Sequence, residues 1–516
     1  MSSSASAPSK TLAPLLTQRS AGVVLHITSL PGPHGLGDLG PQAWRFVDWL
    51  ASAGQKAWQT LPSNPIGPGD SPYQSPSAFA GSAWMVALEP LEAMGWLQPG
   101  KAPDFDRQRA DYGAATGWRW QRLCEAATGF FAQALAAQRN AFAHWCTAQA
   151  HWLPQWTLFA AIKDAHGGLP WWQWPAALAQ RDPAALAAAR QQHAQAITTH
   201  AFVQWCFDMQ WQALRRHAHR RGVQLMGDLP IFVAHDSVDV WSRPDLYWLD
   251  DKHQPSVVAG VPPDGYSPDG QRWGNPLYRW QRMQAEGFDW WVARLQRALQ
   301  LADVVRIDHF RGFAGYWEVP ASAPTARAGR WVSAPGQALF ETLRSALAVD
   351  GNEADTPLPI VAEDLGLITP DVVALREAFG LPGMRIVYEA FLGNDGQHPF
   401  LPHHHVPHGL ACTSTHDSDT VRGFWDSATP EQRERIAVYT GARGGDDIAW
   451  AVLRSTQASV ARMALAPLQD LLGLGSEHRM NRPGTAQGNW SWRFDWPMLD
   501  GSLAARLARL ADATGR

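Results

Sequence analysis

Short apolar runs recur along the chain, and most of them end in polar residues or in a turn. Runs rich in Val and Ile are typical of strands that are buried on both faces of a sheet. Amphipathic helical patterns, such as DWWVARLQRALQLAD and PDVVALREAFG, lie between several of these runs. This alternation predicts an α/β fold with a parallel sheet. The eight candidate strands lie in GVVLHITSLPG, KAWQTLP, VQLMGDLPIF, ADVVRIDHF, LPIVAEDLG, MRIVYEA, LACTSTHDSDT and, with a weaker pattern, RMNRPGT.

Eight strands that alternate with helices predict a closed (β/α)8 barrel, the TIM-barrel fold. Two intervals are too long for a simple crossover, so we expect large insertions after strands 2 and 3. Residues 63–222 carry mostly helical patterns rich in Ala and Trp. Residues 234–302 contain VAGVPPDGYSPDGQRWGNPLY, whose Gly, Pro and aromatic residues are typical of an ordered loop, or lid, over a site. We therefore predict one barrel domain over residues 21–516, interrupted by these two insertions.

Composition and charge exclude several classes of protein. A formal net charge of -4, with dispersed Lys and Arg, favours neither nucleic acid nor a membrane surface as partner. No apolar run reaches the roughly 18 to 20 residues of a membrane span. Cys124, Cys146, Cys206 and Cys412 form no CxxC pair, which favours reduced thiols in the cytoplasm over a zinc or disulfide framework. Residues 1–20 lack a signal-peptide pattern, and we expect them to form a disordered tail.

Tryptophan is unusually frequent, with 28 residues against 19 Phe and 8 Tyr. Its flat apolar ring with one N–H group suits stacking against sugar rings as well as core packing. We expect most of these rings to lie in the core and a few to line a groove. The chain after Arg493 is too short for a β-sandwich, so no C-terminal domain of that kind is expected.

Charge is concentrated at the end of one predicted strand, in VVRIDHFRG. Arg306 and Asp308 are two residues apart and therefore lie on the same face of that strand. An ion pair between them would keep the carboxylate ionised and oriented. An equally reasonable interpretation of this segment alone is a salt bridge that only orders a loop.

Three predicted strand ends carry a carboxylate, namely Asp308, Glu363 and Asp417. Acids that converge at one barrel mouth suit glycoside chemistry, in which one ionised carboxylate attacks and a second acid protonates the leaving oxygen. The apolar run before Glu363 would favour its protonated form, whereas Arg306 would favour ionised Asp308. Each acid alone is equally compatible with a helix cap or a surface position, but three equivalent positions favour catalysis.

These segments resemble those of a known family. VVRIDHFRG, VAEDLG and THDSDT are similar to the three catalytic segments of the α-amylase clan. The flanking segments resemble the 4-α-glucanotransferases of that clan, called amylomaltases or disproportionating enzymes. Their order is also that of the family, from about Arg19 to Phe494. The segments are LHITSLPGPHGLGDLG, GDSPYQSPSAFAG, GGLPWWQWP, GDLPIFVAHDS, VPPDGYSPDGQRWGNPLY and RPGTAQGNWSWRF.

The resemblance implies a role for each matching residue of the centre. Asp308 matches the nucleophile, Glu363 the general acid/base, and Asp417 the acid that holds sugar hydroxyls and stabilises the transition state. Arg306 matches the arginine that orients the nucleophile, and Asp228 matches an Asp that supports the site throughout the clan.

Further matches concern sugar binding. His416 matches a histidine that hydrogen-bonds the sugar in the donor subsite, and Tyr73 matches the aromatic residue that stacks on that sugar. Residues 261–278 resemble the family's lid, where Tyr266, Trp273 and Asn275 are candidate substrate contacts.

The sequence also departs from the family pattern. Gly265 stands where relatives often place a lid aromatic, and Pro68 stands where a Tyr often precedes GDSPYQ. Both differences concern acceptor binding and glucan length rather than the three acids. Ser418 replaces a usual Asn, with little expected consequence.

Two other features attract chemical interpretation. The loop HPFLPHHHVPHG carries five histidines, but its prolines and its lack of a nearby carboxylate favour a plain loop over a metal site. Glu389 ends a predicted strand but matches no catalytic position, so we interpret it as structural. We expect neither a metal nor a cofactor.

The resemblance therefore implies a retaining transferase that cleaves an α-1,4-glucosidic bond, holds the glucan as an ester on Asp308 and transfers it to the 4-hydroxyl of an acceptor. Maltooligosaccharides and longer α-1,4-glucans are the implied substrates, with glucose as an acceptor. An α-glucan hydrolase with the same acids is the main alternative, because both reactions share one intermediate. A non-catalytic glucan-binding protein is a third possibility, but it would not require all three acids.

Overall fold

The barrel strands of the computed structural model are short and almost wholly buried, as their Val-, Ile- and Ala-rich sequences predict. The structure describes residues 13–264, 267–348, 357–393, 395–445, 447–485 and 487–516. The strands of these ranges are β1 (Ser20–Val24), β2 (Ala57–Gln59), β3 (Gln224–Leu229), β4 (Val257–Val261), β5 (Gln271–Pro276), β6 (Val304–Ile307), β7 (Gly315–Pro320), β8 (Arg330–Ser333), β9 (Ile360–Ala362), β10 (Gly383–Ile386), β11 (Gly409–Cys412) and β12 (Met463–Pro467).

Eight parallel strands close the barrel, which confirms the predicted (β/α)8 fold. Their order around it is β1, β2, β3, β6, β9, β10, β11 and β12, with β12 paired to β1. The register sets Asp228 on β3 beside Arg306 on β6, and Arg306 beside Val361 on β9. The carboxyl ends of all eight strands therefore open at one mouth.

The eighth strand was predicted at the wrong place. Residues 479–485 form no strand, and the barrel is closed instead by β12, with the sequence MALAP. Met and Ala have little preference for strands, so this segment carried almost no pattern that would identify it. Its pairing with β1 and β11 determines its conformation.

The expected lid contains a small sheet that the sequence did not predict. Four antiparallel strands pair in the order β5, β4, β7 and β8, so the insertion after β3 is joined by a hairpin that follows β6. Glycines at positions 260, 270 and 274 interrupt the alternation of apolar and polar residues that would have indicated β4 and β5.

Helices surround the barrel and make up most of the first insertion. Those up to the end of that insertion are α1 (Pro14–Thr17), α2 (Pro41–Ser52), α3 (Glu89–Ala93), α4 (Tyr112–Gln133), α5 (Ala136–Ala148), α6 (Leu153–Ala165), α7 (Ala176–Ala179), α8 (Pro183–Gln192) and α9 (Ala194–Arg220). The later ones are α10 (Val238–Ser242), α11 (Trp280–Ala285), α12 (Asp289–Leu301), α13 (Gly336–Leu347), α14 (Pro370–Ala378), α15 (Val421–Ser427), α16 (Pro430–Thr440), α17 (Ile448–Ala458), α18 (Leu468–Leu471) and α19 (Gly501–Ala513). None of the helices described is both long and apolar enough to cross a bilayer.

The start of the described chain differs from the expected disordered tail. Residues 1–12 lie outside the described residues, but α1 is a short helix whose Leu15 and Leu16 are buried, and β1 already begins at Ser20. These leucines pack with Val24, Met226 and Val304 in one apolar cluster. Burial of that apolar surface explains why residues 13–20 are ordered.

A buried ion pair joins the helical insertion to α12, the helix that precedes β6. The Arg297 guanidinium on α12 donates to both carboxylate oxygens of Asp208 on α9, over 2.6 and 3.0 Å. Its Nε also donates to the Phe79 carbonyl over 3.1 Å, and the Trp145 indole N–H donates to Asp208 over 2.9 Å. Only 3% of Arg297 is exposed, so the charge is compensated almost entirely inside the protein.

We predict that Arg297→Met lowers the free energy of unfolding by about 3–5 kcal/mol, because it leaves the Asp208 carboxylate buried without its partner. Arg282→Met is the matched control, since the Arg282 side chain is 52% exposed and its ion pairs with Asp245 and Glu286 lie at the surface. We expect a loss below about 1 kcal/mol there. Urea denaturation of both variants measures the difference, and equal losses would contradict this interpretation of the buried pair.

Candidate active site

The barrel mouth brings the predicted acids together. Asp228 lies near the end of β3, Asp308 follows β6 and Glu363 follows β9, so three adjacent strands each present one carboxylate. Asp417 lies in the loop after β11. The fold thus places these four side chains at the carboxyl ends of strands, where barrel enzymes carry their chemistry.

A single buried cation connects two of these acids. Arg306 Nη1 donates to both oxygens of Asp228, over 2.7 and 2.8 Å, and its Nη2 donates to Oδ1 of Asp308 over 2.9 Å. Burial would lower the pKa of Arg306, but the charges of Asp228 and Asp308 outweigh it and hold that pKa well above its ordinary value. Arg306 therefore stays charged and fixes the orientation of the Asp308 carboxylate. Oδ2 of Asp308 accepts no hydrogen bond from the residues described.

Tyr73 connects this hydrogen-bond network to His416. Its hydroxyl donates to Oδ2 of Asp228 over 2.7 Å and lies 2.8 Å from Nε2 of His416. The rings of Tyr73 and His416 stack, with centroids 5.2 Å apart and planes 13° apart, and Trp490 lies 5.6 Å from Tyr73. These rings form an aromatic wall beside the carboxylates.

Asp417 is held in its ionised form. Its Oδ2 lies 3.3 Å from Nε2 of His416, and Nδ2 of Asn481 donates to its Oδ1 over 2.6 Å. Enclosure in the mouth would raise the pKa of Asp417, but the charge and hydrogen bond of His416, with the hydrogen bond of Asn481, lower it well below its usual range. The same contact raises the pKa of His416 despite its burial.

A buried acid below the loop positions both residues. Thr413 and Ser414 donate their hydroxyls to Oδ2 of Asp470 over 2.6 and 2.5 Å, and the Val421 amide donates to Oδ1 over 2.8 Å. These bonds fix the loop on either side of His416 and Asp417. Asp470 is thus a positioning residue with no contact to the carboxylates at the mouth among the hydrogen bonds of the described chain.

Glu363 occupies a different electrostatic environment. Its Oε2 accepts from the backbone N–H of His309 over 2.7 Å, and its Oε1 accepts from that of Leu365 over 2.8 Å. Desolvation, with the nearby negative charge of Asp308, raises the pKa of Glu363 to about 7, although Arg306 and the two amides oppose the shift. Near neutral pH this carboxyl therefore exists in both protonation states, as a group that gives and takes a proton requires.

The lid residues reach the centre through neighbours. The Trp273 ring meets the His309 ring edge to face, with centroids 4.7 Å apart, and His309 follows Asp308 directly. Asn275 donates to the Val233 carbonyl over 2.8 Å and accepts from Gln74, the residue after Tyr73, over 3.1 Å. Tyr266 and Gly265 lie outside the described residues.

Sequence reasoning missed three contributors. Asn481 lies in the segment that was predicted to be the eighth strand, so its contact with Asp417 was not anticipated. The backbone N–H of His309 binds Glu363 because residue 309 adopts a left-handed conformation, with φ 50°. Asp470 follows β12, whose position the pattern did not indicate. None of these contacts has a signal in residue spacing.

The histidine-rich loop and Glu389, which were not assigned a catalytic role from the sequence, have the following environments. The histidines of the loop at 398–408 contact backbone carbonyls, a backbone amide, a tyrosine hydroxyl or an arginine, and in the described chain they form no group of three metal ligands. Desolvation raises the pKa of Glu389 to about 7, but no described side chain hydrogen-bonds its carboxylate.

Asp308 and Glu363 lie in different environments, so the two acids are suited to different tasks. Asp308 is paired with a permanent cation and keeps one oxygen available, whereas Glu363 can hold a proton near neutral pH. Such a pair, with a third ionised acid and an aromatic wall, is suited to cleavage of a glycosidic bond with an ester intermediate.

Comparison with known sequences and structures gives a consistent assignment. The sequence model of glycoside hydrolase family 77, described as 4-alpha-glucanotransferase, matches residues 25–499. A 4-alpha-glucanotransferase of Thermus thermophilus is 48% identical over 506 residues, which are 96% of this chain and 99% of the relative. One of Synechocystis is 43% identical over 507 residues, covering 97% and 99%.

Solved structures agree. An amylomaltase from Streptococcus agalactiae in complex with acarbose is 35% identical and superposes with a TM-score of 0.92, over 97% of this chain and 100% of that one. The amylomaltase of Corynebacterium glutamicum, at 18% identity and a TM-score of 0.75, supports the fold. The chain therefore belongs to glycoside hydrolase family 77, the 4-alpha-glucanotransferases.

Proposed function

We propose that this 4-alpha-glucanotransferase works by a retaining double displacement in which Asp308 is the nucleophile and Glu363 the general acid and base. The observation that carries this proposal is the contrast between the two acids. Arg306 pairs with one oxygen of Asp308, while desolvation raises the pKa of Glu363 to about 7. Opposite environments for two neighbouring carboxyls are what a nucleophile and an acid require.

In the first step, Oδ2 of Asp308 forms a bond to the anomeric carbon while the bond to the leaving oxygen breaks. Glu363 transfers its proton to that oxygen, so the leaving glucan departs as a neutral alcohol. Arg306 keeps the other oxygen of Asp308 fixed and prevents the carboxylate from rotating away.

In the second step, the ionised Glu363 takes the proton from the 4-hydroxyl of an acceptor. The acceptor oxygen then bonds to the anomeric carbon, and the ester on Asp308 breaks. The two displacements restore the α configuration, and the proton returns to Glu363. Asp417, ionised by His416 and Asn481, binds sugar hydroxyls and stabilises the positive charge that develops on the ring.

Other residues bind the donor sugar and the chain around it. Tyr73 and His416 offer a stacked aromatic surface, and Asp228 holds both Arg306 and the Tyr73 hydroxyl. Trp273, Asn275 and Tyr266 belong to the lid, where we place acceptor binding. Maltooligosaccharides and longer α-1,4-glucans are the donors we propose, with glucose or a glucan as the acceptor.

We also propose that the enzyme acts in the cytoplasm. Its four cysteines are unpaired, as a reducing compartment requires.

The distinction from hydrolysis rests on whether sugar or water accepts the glucan. Incubation with maltotriose alone tests it, because transfer produces both longer maltooligosaccharides and glucose. Glucose and maltose without longer products would show a hydrolase, and unchanged maltotriose would contradict catalysis altogether.

We predict that Asp308→Asn lowers kcat for transfer at least about a thousandfold while donor binding persists, because the amide cannot attack the anomeric carbon. Asp426→Asn is the matched control, since Asp426 is an exposed partner of Arg422 on α15. Transfer from maltotriose, with circular dichroism to verify folding, measures the effect. A variant at position 308 with a tenth of wild-type turnover would rule out the proposed nucleophile.

We predict that kcat/KM for maltotriose falls as pH rises through about 7, because cleavage requires the protonated form of Glu363, whose pKa lies there. The sign follows from the raised pKa: below it the acid carries its proton, and above it the proton is lost. α-Glucosyl fluoride provides the control, since fluoride leaves without a proton. A rate for maltotriose that stays constant to pH 9 would exclude Glu363 as the acid.

Glu363→Ala extends this test. The variant should lose cleavage of maltotriose but retain cleavage of α-glucosyl fluoride, because only the first donor needs a proton on its leaving group. Equal loss with both donors would indicate a structural role for Glu363 instead.

We predict that Trp273→Ala raises the ratio of hydrolysis to transfer severalfold and lowers total donor cleavage less, because the lid then excludes water poorly and lacks a stacking surface near Asp308. Trp248→Ala is the control in the same insertion, where the ring is 40% exposed and contacts Arg279. Glucose release and chain-lengthened products are quantified in one reaction. An unchanged ratio at position 273 would make the lid a scaffold only.

A further inference from the structure

A second cluster of ionisable side chains lies outside the proposed active site. His34 and Asp38 belong to the loop between β1 and α2, and Glu89 is the first residue of α3. Nδ1 of His34 lies 3.8 Å from Oδ2 of Asp38 and 3.8 Å from Oε1 of Glu89. One ligand atom from each residue lies within 4.8 Å of the other two. Two segments that are distant in sequence thus direct three metal-ligating atoms at one point.

The cluster leaves buried polar atoms without partners. His34 is 8% exposed, and among the residues described its Nδ1 has no hydrogen-bond partner, although it is enclosed by the two carboxylates. Oε2 of Glu89 is likewise buried without a hydrogen bond. Unpaired buried polar atoms are costly in a folded protein, so their convergence indicates a bound species that satisfies them.

A permanent cation lies beside the cluster. Nη2 of Arg119 lies 3.2 Å from Oδ2 of Asp38. Arg119 also donates to the carbonyls of His34 and Val86, so it is held in place by the backbone.

The backbone of Gly40 lies directly beside these atoms. Gly40 approaches the cluster so closely that an added Cβ would lie 3.0 Å from Oδ1 of Asp38 and 3.3 Å from Oε2 of Glu89. The Glu89 side chain is 38% exposed, which provides access from solvent. A side chain at position 40 would thus occupy the space beside Asp38 and Glu89.

We propose that His34, Asp38 and Glu89 bind a divalent transition-metal ion of the zinc type. A point equidistant from their ligand atoms lies roughly 2.2–2.5 Å from each, within a few tenths of an ångström of zinc–ligand bonds at about 2.0–2.2 Å. An imidazole nitrogen with two carboxylates suits zinc, whereas calcium and magnesium prefer oxygen ligands alone. Arg119 orients Asp38 from outside the coordination sphere.

The position of the site gives the ion a structural role. The ligands connect the loop after β1 to α3, and Arg119 adds α4, so the ion links the barrel to the helical insertion. Binding to the folded chain alone stabilises it by mass action. A concentration about 100-fold above Kd is expected to raise Tm by roughly 2–3 °C for a chain of this length.

Calorimetric titration of the chelator-treated full-length protein with zinc chloride tests the proposal. We expect one zinc ion per chain and no comparable heat with magnesium chloride. His34→Phe retains a ring against Trp118 but removes Nδ1, and Glu89→Gln removes one charge. Each should weaken zinc binding by more than about 100-fold, the upper range for loss of an outer-shell partner.

Glu92→Gln provides the matched control, because Glu92 lies on the same helix and is paired with Arg122 instead. It should bind zinc as the wild type does. Absence of zinc binding by the wild type would overturn the proposal, and so would binding that survives His34→Phe, which would point to the exposed loop histidines. In crystals soaked with zinc, we expect an anomalous peak between the three ligand atoms; a peak elsewhere would also overturn it.

Discussion

The active centre depends on one buried guanidinium. Arg306 cannot lose its charge, and within the barrel it is balanced by the carboxylates of Asp228 and Asp308. Removal of any one of the three would leave an uncompensated charge in a poorly solvated space. The same contacts set the orientation of Asp308 and, through Asp228, of the Tyr73 hydroxyl. The register between β3 and β6 places Asp228 and Arg306 side by side. The pairing of these two strands therefore also sets the geometry of the ion pair.

The rest of the centre is organised by unequal solvation of similar acids. Asp308 pairs with the guanidinium of Arg306, and Asp417 contacts His416 and a side-chain amide. Glu363 accepts hydrogen bonds from backbone N–H groups in a position removed from water. Desolvation favours the neutral form of any carboxyl, and only a nearby charge or strong hydrogen bonding reverses it. One residue class thus supplies a carboxylate paired with a permanent cation, an ionised carboxylate and one that can hold a proton near neutral pH. The loop after β11 is held by Asp470, so the third acid depends on contacts made below the mouth.

The two insertions contribute side chains to the site at the barrel mouth. The helical insertion is attached by the buried pair of Arg297 and Asp208, and the same interface contains Phe79, which follows the Tyr73 loop. The small antiparallel sheet brings Trp273 against His309. A lid built on a sheet is stiffer than a free loop, because its strands share backbone hydrogen bonds. It is therefore suited to hold an acceptor sugar and exclude water.

The sequence by itself determined the barrel and seven of its eight strands and placed candidate acids after three of them, because apolar runs that end in polar residues carry a strong local signal. It also determined the family, since many ordered segments match. It did not locate β12, the four-stranded sheet or the contacts of Asn481 and Asp470. Alanine-rich strands have no distinctive pattern, and their conformation comes from the pairing that neighbours offer. Likewise, the raised pKa of Glu363 arises mainly from desolvation. The charge of Arg306 is held against desolvation by Asp228, which is distant in sequence, and by the neighbouring Asp308. The apolar run before Glu363 indicated the direction of its shift, but only the closed tertiary structure excludes the water and brings those groups together.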